Sequence, residues 1–288
     1  MVVFKIKKVI NNNILCVTDV KSHEMIVTGC GIGFKRKVGE TIDSAAVEKV
    51  YQMTNLKIQQ RLTDLLEQIP YEHFQLTDEL VETIRARISY PLNESLLITL
   101  ADHISFAIKR KEKGMLYANP LLTPIREYYP QEYQLGLYCL KRIHEKLGVD
   151  FPDDEAGFIA LHIVNAELNT TMSAMNDITR FVDGCVKVIE SYYQKTFNRD
   201  SLAFNRLTVH LRFFAQRLVQ NEQEKYEDTH DQEFCSLIAS NCQEHYQCAK
   251  QVAAYVKTMW HKDTTREEIL FLTIHLKRLN LAEETPEN

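Results

Sequence analysis

Hydrophobic and polar positions alternate in two different ways along this chain of 288 residues, and the change comes near Leu56. Before it the period is two. Phe4-Lys5-Ile6-Lys7 alternates as a half-buried strand does, Ile14-Leu15-Cys16-Val17 supplies a second strand and Met25-Ile26-Val27 a third. Asn11-Asn12-Asn13 marks the turn between the first two. Glycines at 29, 31 and 33 suit a sharp bend or a backbone that a ligand approaches, and Val38-Gly39-Glu40 turns the chain again. After Leu56 the period is helical. Ile58, Leu62, Leu65, Leu66 and Ile69 share one face of a helix that ends before Pro70. Helical patterning then continues to about Leu281, punctuated by Pro91, Pro120, Pro124, Pro130 and Pro152, with a polar interruption at Asn169–Asn176.

Within the helical part, two pairs of histidines repeat with their surroundings. Leu100-Ala-Asp-His103 is followed by Arg110, and Leu207-Thr-Val-His210 by Arg217. Glu155 precedes His162, and Glu268 precedes His275, each across an apolar stretch containing Phe158 or Phe271. The offset is 107 residues for the first member of each pair and 113 for the second. One helical module is therefore written twice. The predicted fold is a small antiparallel β domain followed by two all-α helical bundles. The expected segments are a head at 1–56, a helical linker at 57–69, modules at 70–171 and 172–282, and a frayed tail at 283–288.

On a helix, residues three, four and seven apart share a face. His103 lies with Leu96, Leu100 and Ala107, and His162 with Phe158, Ile159 and Ala166. His210 lies with Leu207, Phe213 and Phe214, and His275 with Phe271, Leu272 and Leu279. All four sit on or beside an apolar stripe. One reading is a core histidine held by a hydrogen bond, preserved by duplication. The other is a nucleophile: neutral imidazole attacks a phosphoryl donor, and the product places negative charge inside a helix interface. Arg110 and Arg217, two turns along, are positioned to pair with such a charge.

Composition narrows the alternatives. The head carries eight Lys/Arg against five Asp/Glu, and the remainder 26 against 34, so a mildly basic head joins an acidic body. That asymmetry suits a head that meets an anion. The seven cysteines are scattered, and Cys235, Cys242 and Cys248 lack metal-finger spacing; they are expected to be buried, inert thiols. No two histidines stand at i, i+4, and no phosphate loop, Gly-x-Ser-x-Gly elbow or Cys-x-x-Cys occurs. No metal, cofactor or catalytic residue is expected. Met1 is followed by strand-like alternation, and no run nears the roughly 18 apolar residues of a membrane span. A cytoplasmic location is expected.

These residues together resemble the BglG/SacY-type transcriptional antiterminators along essentially the whole chain. The head does so through Lys8-Val9-Ile10-Asn11-Asn12-Asn13, Gly29-x-Gly31-x-x-Phe34 and Ala46-Val47-Glu48-Lys49-Val50-Tyr51. The body does so through Asp102-His103-Ile104, Tyr128-Tyr129-Pro130-Gln131-Glu132-Tyr133, the run Asp154–Leu168 and His210-Leu211-Arg212-Phe213-Phe214. The resemblance implies a dimeric head that binds an RNA hairpin in a nascent leader transcript and so prevents termination of a sugar-utilisation operon, often one for β-glucosides. It implies an RNA surface of Lys8, Asn13, Gly29, Gly31 and Phe34. Lys8 would neutralise a phosphate, and Phe34 would stack on an unpaired base or else serve the head's own core. It implies phosphorylation at His103 and His162 by a sugar-specific permease (enzyme II), which inhibits. It implies phosphorylation at His210 and His275 by the phosphocarrier HPr, which activates. Cys30 departs from the pattern, since that position is often basic in the family; Lys35, Arg36 and Lys37 stand nearby to compensate. Two rival readings remain: a DNA-binding activator with the same modules, and a histidine-dependent phosphotransfer or hydrolytic enzyme.

Overall fold

The computed structural model describes residues 3–20, 22–53, 55–220 and 232–284. The chain divides into two compact units. One runs to Tyr117 and takes in Cys139–Phe151; the other holds Ala118–Tyr138 and continues from Pro152.

The first unit opens with five antiparallel strands: β1 (Val3–Asn11), β2 (Ile14–Thr18), β3 (Glu24–Thr28), β4 (Thr41–Asp43) and β5 (Lys49–Tyr51). They lie in the order β4-β1-β2-β3-β5. The alternation read from the sequence is the cause. Phe4, Ile6, Leu15, Val17, Met25, Val27 and Ile42 turn to one side and are closed over by Ile32. β4 and β5 go beyond the three strands that periodicity predicts. Each is three residues long, too short to show a period, and is held by pairing with β1 or β3.

The second side of the sheet is buried too. Ile14, Cys16, Ile26 and Thr28 are nearly inaccessible. β2 and β3 therefore read as continuous apolar runs, as strands covered on both faces do. The cover is helical. α1 (Leu56–Leu66) starts at Asn55, whose side chain accepts a hydrogen bond from the Lys57 amide at 2.8 Å. Gln59 and Thr63 of α1 line a pocket with Lys8 and Cys16. α2 (Tyr71–Arg87) begins after Pro70. Its Phe74 meets Tyr51 edge-on at 5.3 Å. Its Asp78 accepts from Lys49 at 2.7 Å and from the Tyr51 hydroxyl at 2.9 Å. α3 (Leu96–Glu112) completes the helices wholly inside this unit.

The second unit holds α4 (Leu122–Tyr128), the first half of α5 (Pro130–Leu147), α6 (Asp153–Leu168), α7 (Met172–Tyr193), α8 (Leu202–Gln220), α9 (Gln232–Asn241), α10 (Gln243–Trp260) and α11 (Arg266–Glu284). Prolines act here as starters: Pro130 opens α5, and Pro152 precedes the acidic first turn of α6. α6 is buried on nearly every side, so it is the central helix of its surroundings. The polar interruption is narrower than its sequence. Asn169 ends α6 in the left-handed conformation, and Thr171 caps α7 by accepting from the Ala174 amide. Only 169–171 lie outside helix; Met172–Asn176 belong to α7. α7, α8, α11 and α10 pair in turn as a closed ring of four helices. Phe181 packs edge-on against Phe214 at 5.2 Å in its interior.

Cys139 and Cys248 are buried, and burial pushes both thiols up to about 12. Cys16 and Cys185 are buried as well, Cys242 is half-buried and Cys30 is exposed. The Cys235 side chain and residues 285–288 of the expected tail lie outside the described residues. Among the described residues no group of three or more His, Cys, Asp or Glu is arranged to hold a metal ion. No described helix is long and apolar enough to cross a membrane.

One close approach is diagnostic of the helical packing. A Cβ on Gly136 of α5 would lie 2.3 Å from the Ala156 carbonyl oxygen of α6, a contact with backbone that no rotamer change relieves. Gly136→Ala is expected to destabilise the protein by about 1–3 kcal/mol, seen as a lowered thermal midpoint; an unchanged midpoint would contradict this packing.

Candidate functional site

The seven-residue spacings of the repeated signature become geometry at α8 and α11. Seven residues are two helical turns, so Arg217 lies on the face of His210 and Glu268 on the face of His275. The two helices run antiparallel, which sets His210 against His275 and Arg217 against Glu268. The imidazole rings stack with centroids 4.8 Å apart and planes 27° from parallel. Arg217 donates through Nε to Glu268 Oε1 at 2.7 Å, and its Nη2 bonds the same oxygen. Glu268 Oε2 stands 3.6 Å from His210 Nε2, and that buried nitrogen makes no hydrogen bond among the described residues.

Electrostatics keeps both rings neutral. Burial, then His275 and Arg217, push His210 down to about 3. His275 is lowered by burial and by Arg278 and Arg206. Burial raises the Glu268 carboxyl, while Arg217 pulls it back down. The cluster thus holds two uncharged imidazoles beside one ion pair, and an uncharged ring nitrogen is the nucleophilic form. Phe271, 40% exposed, lies beside the pair with its ring centroid 6.4 Å from that of His210, and His275 is itself half-buried.

The first pair is divided between the units. His103 lies on α3 in the first unit, half-buried beside buried Leu100 and Ala107. Arg110, two turns along, is buried between two rings, with its guanidinium 5.3 Å from Phe106 and 4.8 Å from Tyr117. Asp102 points to solvent. His162 lies on α6 in the second unit, 8% exposed among Ile159 and Ala166. All four histidines therefore occupy the apolar surroundings that helical spacing predicts.

In the head, the structure gathers Asn13, Gly29, Gly31 and Phe34. The Gly29 amide donates to the Asn13 carbonyl at 3.1 Å, and the Gly31 amide to Asn13 Oδ1 at 2.9 Å. These bonds zip the β1–β2 turn to the loop after β3. The glycines have different reasons. A Cβ on Gly29 would lie 2.5 Å from the Ala46 carbonyl oxygen, so its close neighbour is the head itself. Gly31 has φ +65° and open space around it. Phe34 is 58% exposed, which removes it from the core, and Lys35 Nζ sits 5.2 Å from its ring centroid. Cys30 is exposed beside them.

Lys8 points elsewhere. The register of β1 shifts between Ile6, opposite Val17, and Lys8, opposite Cys16. This bulge turns Lys8 to the α1 side, where it forms an ion pair with Glu67 at the end of that helix. Glu67 and Glu268 received no role from the sequence. Glu268 was findable, since it opens the second histidine signature; nothing in the pattern marked Glu67.

The comparisons with known proteins fit this anatomy. The CAT RNA binding domain model matches residues 4–60, and the PRD domain model matches 78–166 and 183–279. An RNA-binding head with tandem PRD domains defines a class of regulators, not enzymes. The chain belongs to this family of transcription antiterminators. It is 35% identical over 275 residues to transcription antiterminator LicT of Bacillus subtilis (strain 168), covering 96% of this chain and 98% of that protein. It is 34% identical over 290 residues to the beta-glucoside operon antiterminator of Dickeya chrysanthemi, covering 98% and 100%. Among solved structures, the GlcT CAT-PRDI crystal structure shares 36% identity, with a TM-score of 0.49, over 57% of this chain and 98% of that one.

The histidine geometry makes a pH prediction. His210 has a folded value below its unfolded one, so its stabilising contribution is full above about 6.5. It is lost as pH falls through the folded value near 3. In proton NMR the His210 ring resonance is expected to stay at its neutral position from pH 7 to pH 5. A midpoint near 6.5 would overturn the buried, neutral assignment.

Proposed function

We propose that this chain is a transcription antiterminator in which RNA binding by the head is controlled by histidine phosphorylation in the body. The head (1–56) binds a hairpin in the nascent leader transcript of a sugar-utilisation operon, and binding lets polymerase read past a terminator. The linker (57–69) joins it to regulation domains at 70–171 and 172–282. The permease of the sugar phosphotransferase system modifies His103 and His162. HPr modifies His210 and His275. The working form is a homodimer in the cytoplasm. The relative named for a beta-glucoside operon favours β-glucosides as the sugar class.

The observation that carries the reading is the His210–His275 stack beside the Arg217–Glu268 pair. In the transfer step a ring nitrogen of the neutral acceptor attacks the phosphorus of the donor's phosphohistidine. The new N–P bond forms as the old one breaks; the donor imidazole leaves and takes up the proton that the acceptor ring gives up from its other nitrogen, so both rings end neutral. The acceptor then carries a group of about −1.5 to −2 charge. Placed on His210, that group faces the Glu268 carboxylate and has Arg217 as its nearest cation. Repulsion from the first and attraction to the second favour moving Arg217 from Glu268 to the phosphoryl group. The contact between α8 and α11 is the switched element.

On the RNA side, exposed Phe34 offers a stacking face and Gly31 an open backbone approach. Asn13 Oδ1 is committed to Gly31, which leaves its amide hydrogens for a base or sugar. Lys8 reaches a phosphate by exchanging Glu67 for it. Lys35, Arg36 and Lys37 supply the charge that Cys30 does not.

Gel-shift titration of the full chain against its leader hairpin tests the reading. Phe34→Ala removes one stacked base, about 1–3 kcal/mol, and is expected to weaken binding by about 5- to 150-fold. Binding of the wild type no tighter than to a scrambled hairpin at moderate salt would sink it.

A further inference from the structure

A second buried charge cluster lies apart from the histidines, in the same unit. Arg212 of α8 is buried, and its Nη2 donates to the Tyr128 carbonyl at 2.5 Å. Its Nη1 donates to Glu132 Oε1 of α5 at 3.3 Å, and its guanidinium lies 4.5 Å from the Tyr129 ring centroid. Glu132 is 5% exposed. Glu167 of α6 faces Glu132, and its Oε1 is buried with no hydrogen-bond donor among the described residues. The titratable and charged groups facing Glu167 are Glu132, Arg212 and Tyr129; Thr179 of α7 bonds the Tyr129 hydroxyl at 3.1 Å.

The charges do not balance if both carboxyls ionise. One guanidinium then faces two carboxylates, with Arg212 and Glu132 buried and Glu167 half-buried over its own buried Oε1, and neither carboxylate can donate to the other. One proton corrects both faults. It neutralises the surplus charge and turns the carboxyl–carboxylate contact into a hydrogen bond. Burial and Glu132 together push Glu167 up to about 8, against the pull of Arg212.

Position gives this proton a consequence. Glu132 and Glu167 belong to the first histidine module, and Arg212 to the second, two residues past His210. We propose that Arg212, Glu132 and Glu167 form a proton-dependent latch between the two helical modules, closed while the carboxyls share a proton and weakened when it leaves. The latch belongs to the helical body and stands whether or not the head binds RNA. Glu167 has a folded value above its unfolded one. The closed form is therefore most favoured below the ordinary carboxyl range and loses ground as pH rises toward about 8. Within that window the opening equilibrium rises by up to about tenfold per pH unit, then levels off.

The test uses the full chain, with hydrogen exchange of the α5 and α8 amides from pH 6 to pH 8, corrected for the intrinsic rate. Wild type is expected to lose protection across the range. Glu167→Gln, which keeps the shape of the protonated form, is expected to hold its protection and show no such slope. Arg212→Met is expected to lower protection at every pH. Equal slopes in wild type and Glu167→Gln would overturn the latch, as would a flat wild type. If Glu167→Gln does not fold, a carbon NMR titration of the Glu167 carboxyl in wild type decides. A midpoint well above the ordinary carboxylate range supports the latch, and one within it overturns the proposal.

Discussion

Arg217 and Glu268 close the contact between α8 and α11, and the behaviour of the second histidine pair depends on that ion pair. A carboxylate buried to this degree needs a cation, and Arg217 supplies it through two nitrogens. With Glu268 so engaged, no full negative charge is left to draw a proton onto His210, and burial holds that ring neutral. The arrangement is stable only while its charges match. A phosphoryl group on either ring would upset the balance at a place where burial weakens screening by water, most of all at His210. In the proposed switch, close packing turns that local charge change into a choice between two helix arrangements.

The head applies the same economy to a surface. The β1–β2 turn and the loop after β3 are joined by backbone bonds, so Asn13, Gly31 and Phe34 are held in place before any ligand arrives. Preorganised aromatic and amide groups lose little freedom on binding. Lys8 differs, because it is already paired with Glu67 of α1. That contact connects the proposed RNA surface to the helix leading into the regulated body. It is half-exposed at both ends, so it is an exchangeable contact and contributes little to stability.

Much of this was legible in the chain. Period-two alternation located β1, short apolar runs bounded by turn residues located β2 and β3, and the switch to helical spacing located α1. The repeated intervals of seven residues were the most informative pattern, because they imply same-face pairs two turns apart. Antiparallel packing then pairs Arg217 with Glu268 without further information. Other features depend on contacts that no local pattern records. β4 and β5 are three residues each and exist through their partners. The reasons for Gly29 and Gly31 differ, yet both stand as alternate glycines in the sequence. Arg212 was visible only as part of His210-Leu211-Arg212-Phe213-Phe214, since its partners Glu132 and Glu167 lie 80 and 45 residues earlier. A buried Arg on an apolar helix face was the available clue, because such a group requires a carboxylate from elsewhere.

The central claim is that phosphoryl groups placed on the paired histidines govern RNA binding. The direct measurement is to phosphorylate the full chain with purified HPr, and separately with the sugar permease. Modified sites are then mapped by mass spectrometry at neutral to alkaline pH, and hairpin affinity is measured on the same samples. The account predicts HPr-dependent label at His210 and His275 with tighter RNA binding. It predicts permease-dependent label at His103 and His162 with weaker binding. Label confined to other residues, or label at these four with no change in affinity, would contradict it.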